Sequence, residues 1–230
     1  MAETKIRGTS WAALATVAAA LFLYICCGTP ASAKRAAARA SQPDAATAAL
    51  VAEVRRSFTV HGKPIPPEIF RDFGDSDLAD SDSIWVTVDV AAATGSNLYY
   101  DPIKQDGGFV AQIKTDPKTN AWERTSYDYI GSTDNGLLVV VAGYSGGGSG
   151  EFMTLHILDL AAVRAFDDGD GKTDGKHWRV NLTVVRNVIL GDRWDGGVDI
   201  KKNAIVVTTA HSGPADDKGR PPMTIMAVRP

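Results

Sequence analysis

The motif Gly143-Tyr144-Ser145-Gly146-Gly147 follows an apolar run and has the G-x-S-x-G spacing of a nucleophile elbow. An elbow exposes a serine on a sharp strand-to-helix turn, where a histidine can take its proton. Asp192 or Asp195 and then His211 follow in the order Ser, Asp, His that one class of hydrolase uses. The surroundings argue against that chemistry. Residues 146–150 read Gly-Gly-Gly-Ser-Gly, and glycine is a poor helix former, so the helix behind the elbow is not supported. A glycine-serine hairpin loop explains the same residues. Thr209-Ala210-His211 looks like the histidine segment of another protease class, but there the histidine precedes the serine. Ser145, His211 and Asp195 are weak catalytic candidates, and no catalytic residue is expected.

Asp72, Asp75, Asp77, Asp80 and Asp82 place five carboxylates within eleven residues. Close carboxylates repel unless a hard cation sits among them, and calcium takes oxygen ligands of this kind. Their spacing fits no calcium loop, and short polar side chains of a turn bond their own backbone equally well. They are weak calcium candidates, and no cofactor is expected. A second acidic run, from Asp167 to Asp174, fails a register test. With Gly171 as the sharp-turn glycine, the first and last ligand positions fall on Phe166 and His177. His61, His156, His177 and His211 are scattered, and no pair has zinc-ligand spacing.

Gly191-Asp192-Arg193-Trp194-Asp195-Gly196 joins an indole to three charges. An exposed Trp194 beside Arg193 and Asp195 would stack on a ring, with the charges as hydrogen-bond partners. The competing reading folds Trp194 back as a core plug, since tryptophan is highly buried on average.

Strands must position these residues. Period-two alternation runs through Ile84, Val86, Val88 and Val90, through Tyr127 and Tyr129, and through Trp178, Val180, Leu182 and Val184. Residues 137–144 are almost continuously apolar, which predicts a central strand buried on both faces. Residues 154–160, 205–207 and 223–228 read as further strands. Asn135-Gly136, Asp168-Gly169, Lys202-Asn203 and Gly213-Pro214 punctuate them with turn chemistry. No βαβ spacing recurs. The pattern predicts a mainly β, antiparallel sandwich or barrel-like single domain over 58–230, with a short helix at 67–73.

The first 33 residues have the layout of an export signal. Lys5 and Arg7 precede an apolar run from Trp11 to Cys27, and Ala31-Ser32-Ala33 offers small residues for cleavage. Ile25 before Cys26 is not the small residue that a lipid-attachment site wants. Both cysteines lie in this segment, so a chain cut after Ala33 holds no disulfide and no thiolate metal site. Its 22 basic and 26 acidic residues leave a net charge of −4, against a nucleic-acid partner. Membrane contact is expected only through this segment, if it is retained as an anchor. Residues 34–57 read as an alanine-rich tether, or as a short helix from about Ala45 capped by Asp44.

Ile65-Pro-Pro-Glu-Ile-Phe-Arg-Asp-Phe-Gly74, Ser83-Ile-Trp-Val-Thr-Val-Asp-Val90 and the Gly191–Gly196 hexapeptide resemble a group of exported proteobacterial proteins, from about Phe58 to the end. The resemblance implies an exported single domain and assigns no activity. The expectation is a periplasmic or extracellular protein, a non-enzymatic binding or structural module. The alternatives are a secreted serine hydrolase using Ser145 and a calcium-stabilised β domain.

Overall fold

The computed structural model describes residues 42–73, 86–95, 101–165, 177–208 and 222–229. The chain enters through helix α1 (Ala45–Ser57). The Asp44 carboxylate accepts the Thr47 N–H at 2.8 Å and caps its first turn. Phe58 ends the helix at φ 54° with its N–H on the Val54 carbonyl. A left-handed phenylalanine is costly, and its ring supplies the compensation: it is buried against Phe70, Tyr127 and Tyr129. Val54 is fully buried, and Leu50 and Val51 pack on the same core, so 45–57 is a docked helix and not a tether. The folded unit thus reaches back beyond Phe58, to Pro43. A hairpin follows, β1 (Thr59–Val60) and β2 (Lys63–Pro64), turned by His61 and Gly62, both at positive φ. Helix α2 (Ile69–Phe73) is wound in by three-residue hydrogen bonds, the N–H groups of Ile69, Phe70 and Arg71 donating to the carbonyls of Pro66, Pro67 and Glu68.

Strand β3 (Thr87–Asp89) is shorter than the alternation through Val90 predicts. Asp89 accepts the N–H groups of Ala91 and Ala92, and three alanines then favour helix α3 (Val90–Gly95) over extension. Beyond it come β4 (Lys104–Asp106), β5 (Phe109–Thr115), β6 (Trp122–Ser132), β7 (Leu138–Ser145), β8 (Phe152–Ala165) and β9 (His177–Asp192). These form a seven-stranded antiparallel sheet in the order β3-β9-β8-β7-β6-β5-β4. Among the described residues the order has two ends, so the sheet is open and not a closed barrel. The apolar run falls on β7, the middle strand. Leu138, Val140 and Ala142 face one core, and Leu137, Val139 and Val141 face the other. The first core is roofed by α1, α2 and the β1–β2 hairpin.

The second core is closed by a small sheet of β10 (Val198–Lys201), β11 (Ala204–Val207) and β12 (Met223–Met226). The result is a mainly β, sandwich-like unit with helices on its other face. Side-chain amides lock the small sheet to the large one. The β6–β7 turn presents Asn135, whose N–H donates to Asn203 Oδ1 at 2.9 Å and whose Nδ2 donates to the Ala227 carbonyl at 2.8 Å. Ala227 N–H returns to the Asn203 carbonyl. His211, Asp75, Asp77, Asp80, Asp82, the 168–169 turn and the export segment lie outside the described residues, as does the side chain of Asp72.

Candidate functional site

In an antiparallel meander every second connection returns to the same end of the sheet. Here the turn at 116–121, the glycine-rich loop at 146–151 and the loop at 193–197 meet at one end. Each is fixed by its own chemistry. Asp116 accepts the Lys118 N–H at 2.8 Å and the Thr119 hydroxyl at 2.9 Å. Gly147, at φ 86°, lies so close to the backbone of Trp122 that a Cβ there would stand 2.4 Å from the Trp122 carbonyl oxygen. Glu151 donates its N–H to Asp192 Oδ1 at 2.8 Å, accepts the Arg193 N–H at 2.7 Å, and pairs through its carboxylate with Arg124 at 2.7 Å. That backbone N–H foremost, and then the Arg193 guanidinium, hold the Asp192 carboxyl below its ordinary pKa.

Between the first two loops lies an open cleft of about 600 Å³, walled by Lys114, Asp116, Trp122, Glu123 and Tyr144. Trp122 is 40% exposed and Tyr144 36%. Glu123 is the hub. It accepts from Lys114 Nζ at 3.0 Å, from Arg71 of α2 at 3.4 Å and from the Tyr144 hydroxyl at 3.1 Å. Partial burial works against the Glu123 charge. The Lys114 and Tyr144 hydrogen bonds and the Arg71 charge outweigh it, so the carboxyl titrates below its usual range.

Ser145 ends β7 opposite Arg124 and is 4% exposed. It shares the face of Val139 and Val141, whereas His156 lies on the face of Leu138 and Val140. His156 pairs with Val140, five residues back along β7, about 16 Å away at strand rise. His177 pairs with Ala165 at the far end of β8, and His61 lies in the β1–β2 turn. Among the described residues no hydrogen bond joins Ser145 to a histidine.

His156 is instead a buried structural group. Its ring lies 5.2 Å from Phe70 and 6.1 Å from Phe73. Asn187 Nδ2 donates to the Phe73 carbonyl at 2.6 Å, which leaves Asn187 Oδ1 to accept the Nδ1–H of His156 at 2.8 Å. Burial disfavours the imidazolium more than Asn187 helps it, and the pKa falls to about 4.

Trp194 packs against the second core. Gly196 makes room for it, since a Cβ there would stand 2.6 Å from the indole. Arg193, at φ 50°, pairs with Asp192 at 3.0 Å, and Asp195 is exposed. The hexapeptide and Ser145 therefore share the loop end, but the exposed rings there belong to Trp122, Tyr144 and Phe152, of which Trp122 and Tyr144 line the cleft. No family profile, no curated protein and no solved structure matches this chain. The geometry alone carries the functional reading. The sequence signal for the cleft was Asp116-Pro117-Lys118-Thr119-Asn120, a turn flanked by Lys114 on one strand and Trp122-Glu123 on the next.

Proposed function

We propose that this protein works outside the cytoplasm as a non-enzymatic binding module, with its ligand held in the loop-end cleft. One observation carries the reading: two part-exposed rings flank a carboxylate whose partners are already fixed, on hairpin ends pinned by hydrogen bonds. Such a surface is shaped before the ligand arrives, so little ordering cost falls on binding. Ligand sites of globular proteins have this size and mixture, and loops on a rigid scaffold commonly carry them. The Lys5-to-Ala33 pattern supports export to the periplasm or the medium.

Two measurements test the reading. Mass spectrometry of the protein from the periplasm or medium should find Lys34 as its first residue, whereas an intact Met1 in the membrane fraction counts against a free exported form. Isolated envelope fractions should retain the purified protein, and Trp122→Ala with Tyr144→Ala should release it. Retention that ignores both substitutions removes the cleft from the function.

A further inference from the structure

We infer that the cleft takes an uncharged saccharide, an inference that rests on the cleft being the binding site. Lys114 and Arg71 both engage Glu123, and both carboxylate oxygens of Asp116 are held by its own turn. Lys114, Asp116 and Glu123 line the cleft, and with Arg71 seated on Glu123 two cations balance two anions in this group. A charged ligand gains no net field here and would have to compete for Lys114, Arg71 or Glu123 with partners already in place. A nucleic acid or a phosphorylated ligand would call for a surplus of cations.

Topology argues against an extended peptide. Strand addition needs an open sheet edge. The cleft stands on β6 and β7, hydrogen-bonded to a neighbour on both sides, and on the end of β5, whose outer edge is covered by β4 as far as Ala111 and by the Asp101 N–H at Ile113, which leaves Lys114 and Thr115, fewer residues than an added strand needs. The sheet ends instead at β3 and β4.

What remains matches a sugar ring. A pyranose has apolar C–H faces and a rim of hydroxyls, each both donor and acceptor. Trp122 and Tyr144 are amphipathic rings suited to an apolar face beside water. The Lys114 ammonium can donate to the rim, and the Glu123 carboxylate and Tyr144 hydroxyl can accept from it without losing the contacts that hold them. The cleft is open to solvent, so a ring within a longer glycan can enter without a free chain end.

The test is calorimetric titration of the purified full-length protein with neutral trisaccharides of glucose, mannose and N-acetylglucosamine. A trigalacturonate, a neutral tripeptide and inorganic phosphate serve as comparison ligands. At least one neutral trisaccharide should bind, with an affinity that changes less than about twofold between roughly 0.05 and 0.5 M salt. Tyr144→Ala should weaken it by about tenfold or more, and Tyr144→Phe, which keeps the ring, by about threefold or less. Unchanged thermal melts of both variants exclude misfolding as the cause. Failure of every neutral trisaccharide to bind overturns the saccharide inference. If trigalacturonate or the tripeptide binds instead and is lost in Tyr144→Ala, the cleft stands as the site and only its ligand class falls. If envelope retention ignores Trp122 and Tyr144, the site itself falls and the inference with it.

Discussion

Gly147 shows how one residue without a side chain can set a surface. Its φ of 86° and its approach to the Trp122 carbonyl leave no room for a Cβ. Gly147→Ala should cost about 1–2 kcal/mol for the left-handed backbone alone. The contact with Trp122 adds to that and should push the loop outward, measurable as a lower urea midpoint and altered Trp122 accessibility. Ser145, two residues earlier, should stay unlabelled by a fluorophosphonate probe, because among the described residues no base is aimed at it. Labelling that disappears in Ser145→Ala would reverse that conclusion. The glycines after Ser145 were readable as a loop in the sequence. The value of Trp122 was not, because it comes from a distant loop settling on its backbone.

At the scale of elements, α2 is tied to the sheet through His156 and Asn187 and reaches the cleft through Arg71. The folded state holds His156 near pKa 4, against about 6.5 in the open chain. Above pH 6.5 the imidazole is neutral in both states, and its contribution to stability is complete. Between pH 6.5 and 4 the unfolded chain binds the proton and the folded one resists it, so stability falls with pH, by up to about 3 kcal/mol. Urea midpoints at pH 7 and pH 4.5 should show this fall, and His156→Gln should reduce the difference between them. The partner of His156 could not be read from alternation. Counting by twos from Val180 and Leu182 puts Asn187 on the wrong face. An irregularity where Ile157 and Leu158 pair with Arg186 and Val184 shifts the count by one. Bulges are set by the neighbouring strand, which a single run of residues does not contain. Helix α1 was legible through its cap, Asp44, yet its alanines concealed that it docks.

For the whole molecule, the decisive feature is a sheet with a core on each side. Leu137 and Leu138 are both fully buried but belong to different cores. Leu137→Ala and Leu138→Ala should each cost about 2–5 kcal/mol. Their effects should nearly add in the double variant, since they empty separate spaces. A sheet with one wet face would make one of the two almost harmless, so denaturant unfolding of the three variants decides the point. The apolar run at 137–144 announced this arrangement. The layering was hidden, because which elements cover each face depends on long-range pairing such as Asn135 with Ala227.

That last contact bears on timing. Ile225 and Ala227 complete the second core, and Ala227 is also a hydrogen-bond terminus for Asn135, some ninety residues earlier. They belong to the most C-terminal stretch of the described chain. A polypeptide threaded through a membrane with its N-terminus leading would deliver this stretch after every other strand. Until then the cover over Leu137, Val139 and Leu155 consists of β10 and β11 and lacks Ile225 and Ala227. Closure by β12 would act as a latch that shuts only on the far side.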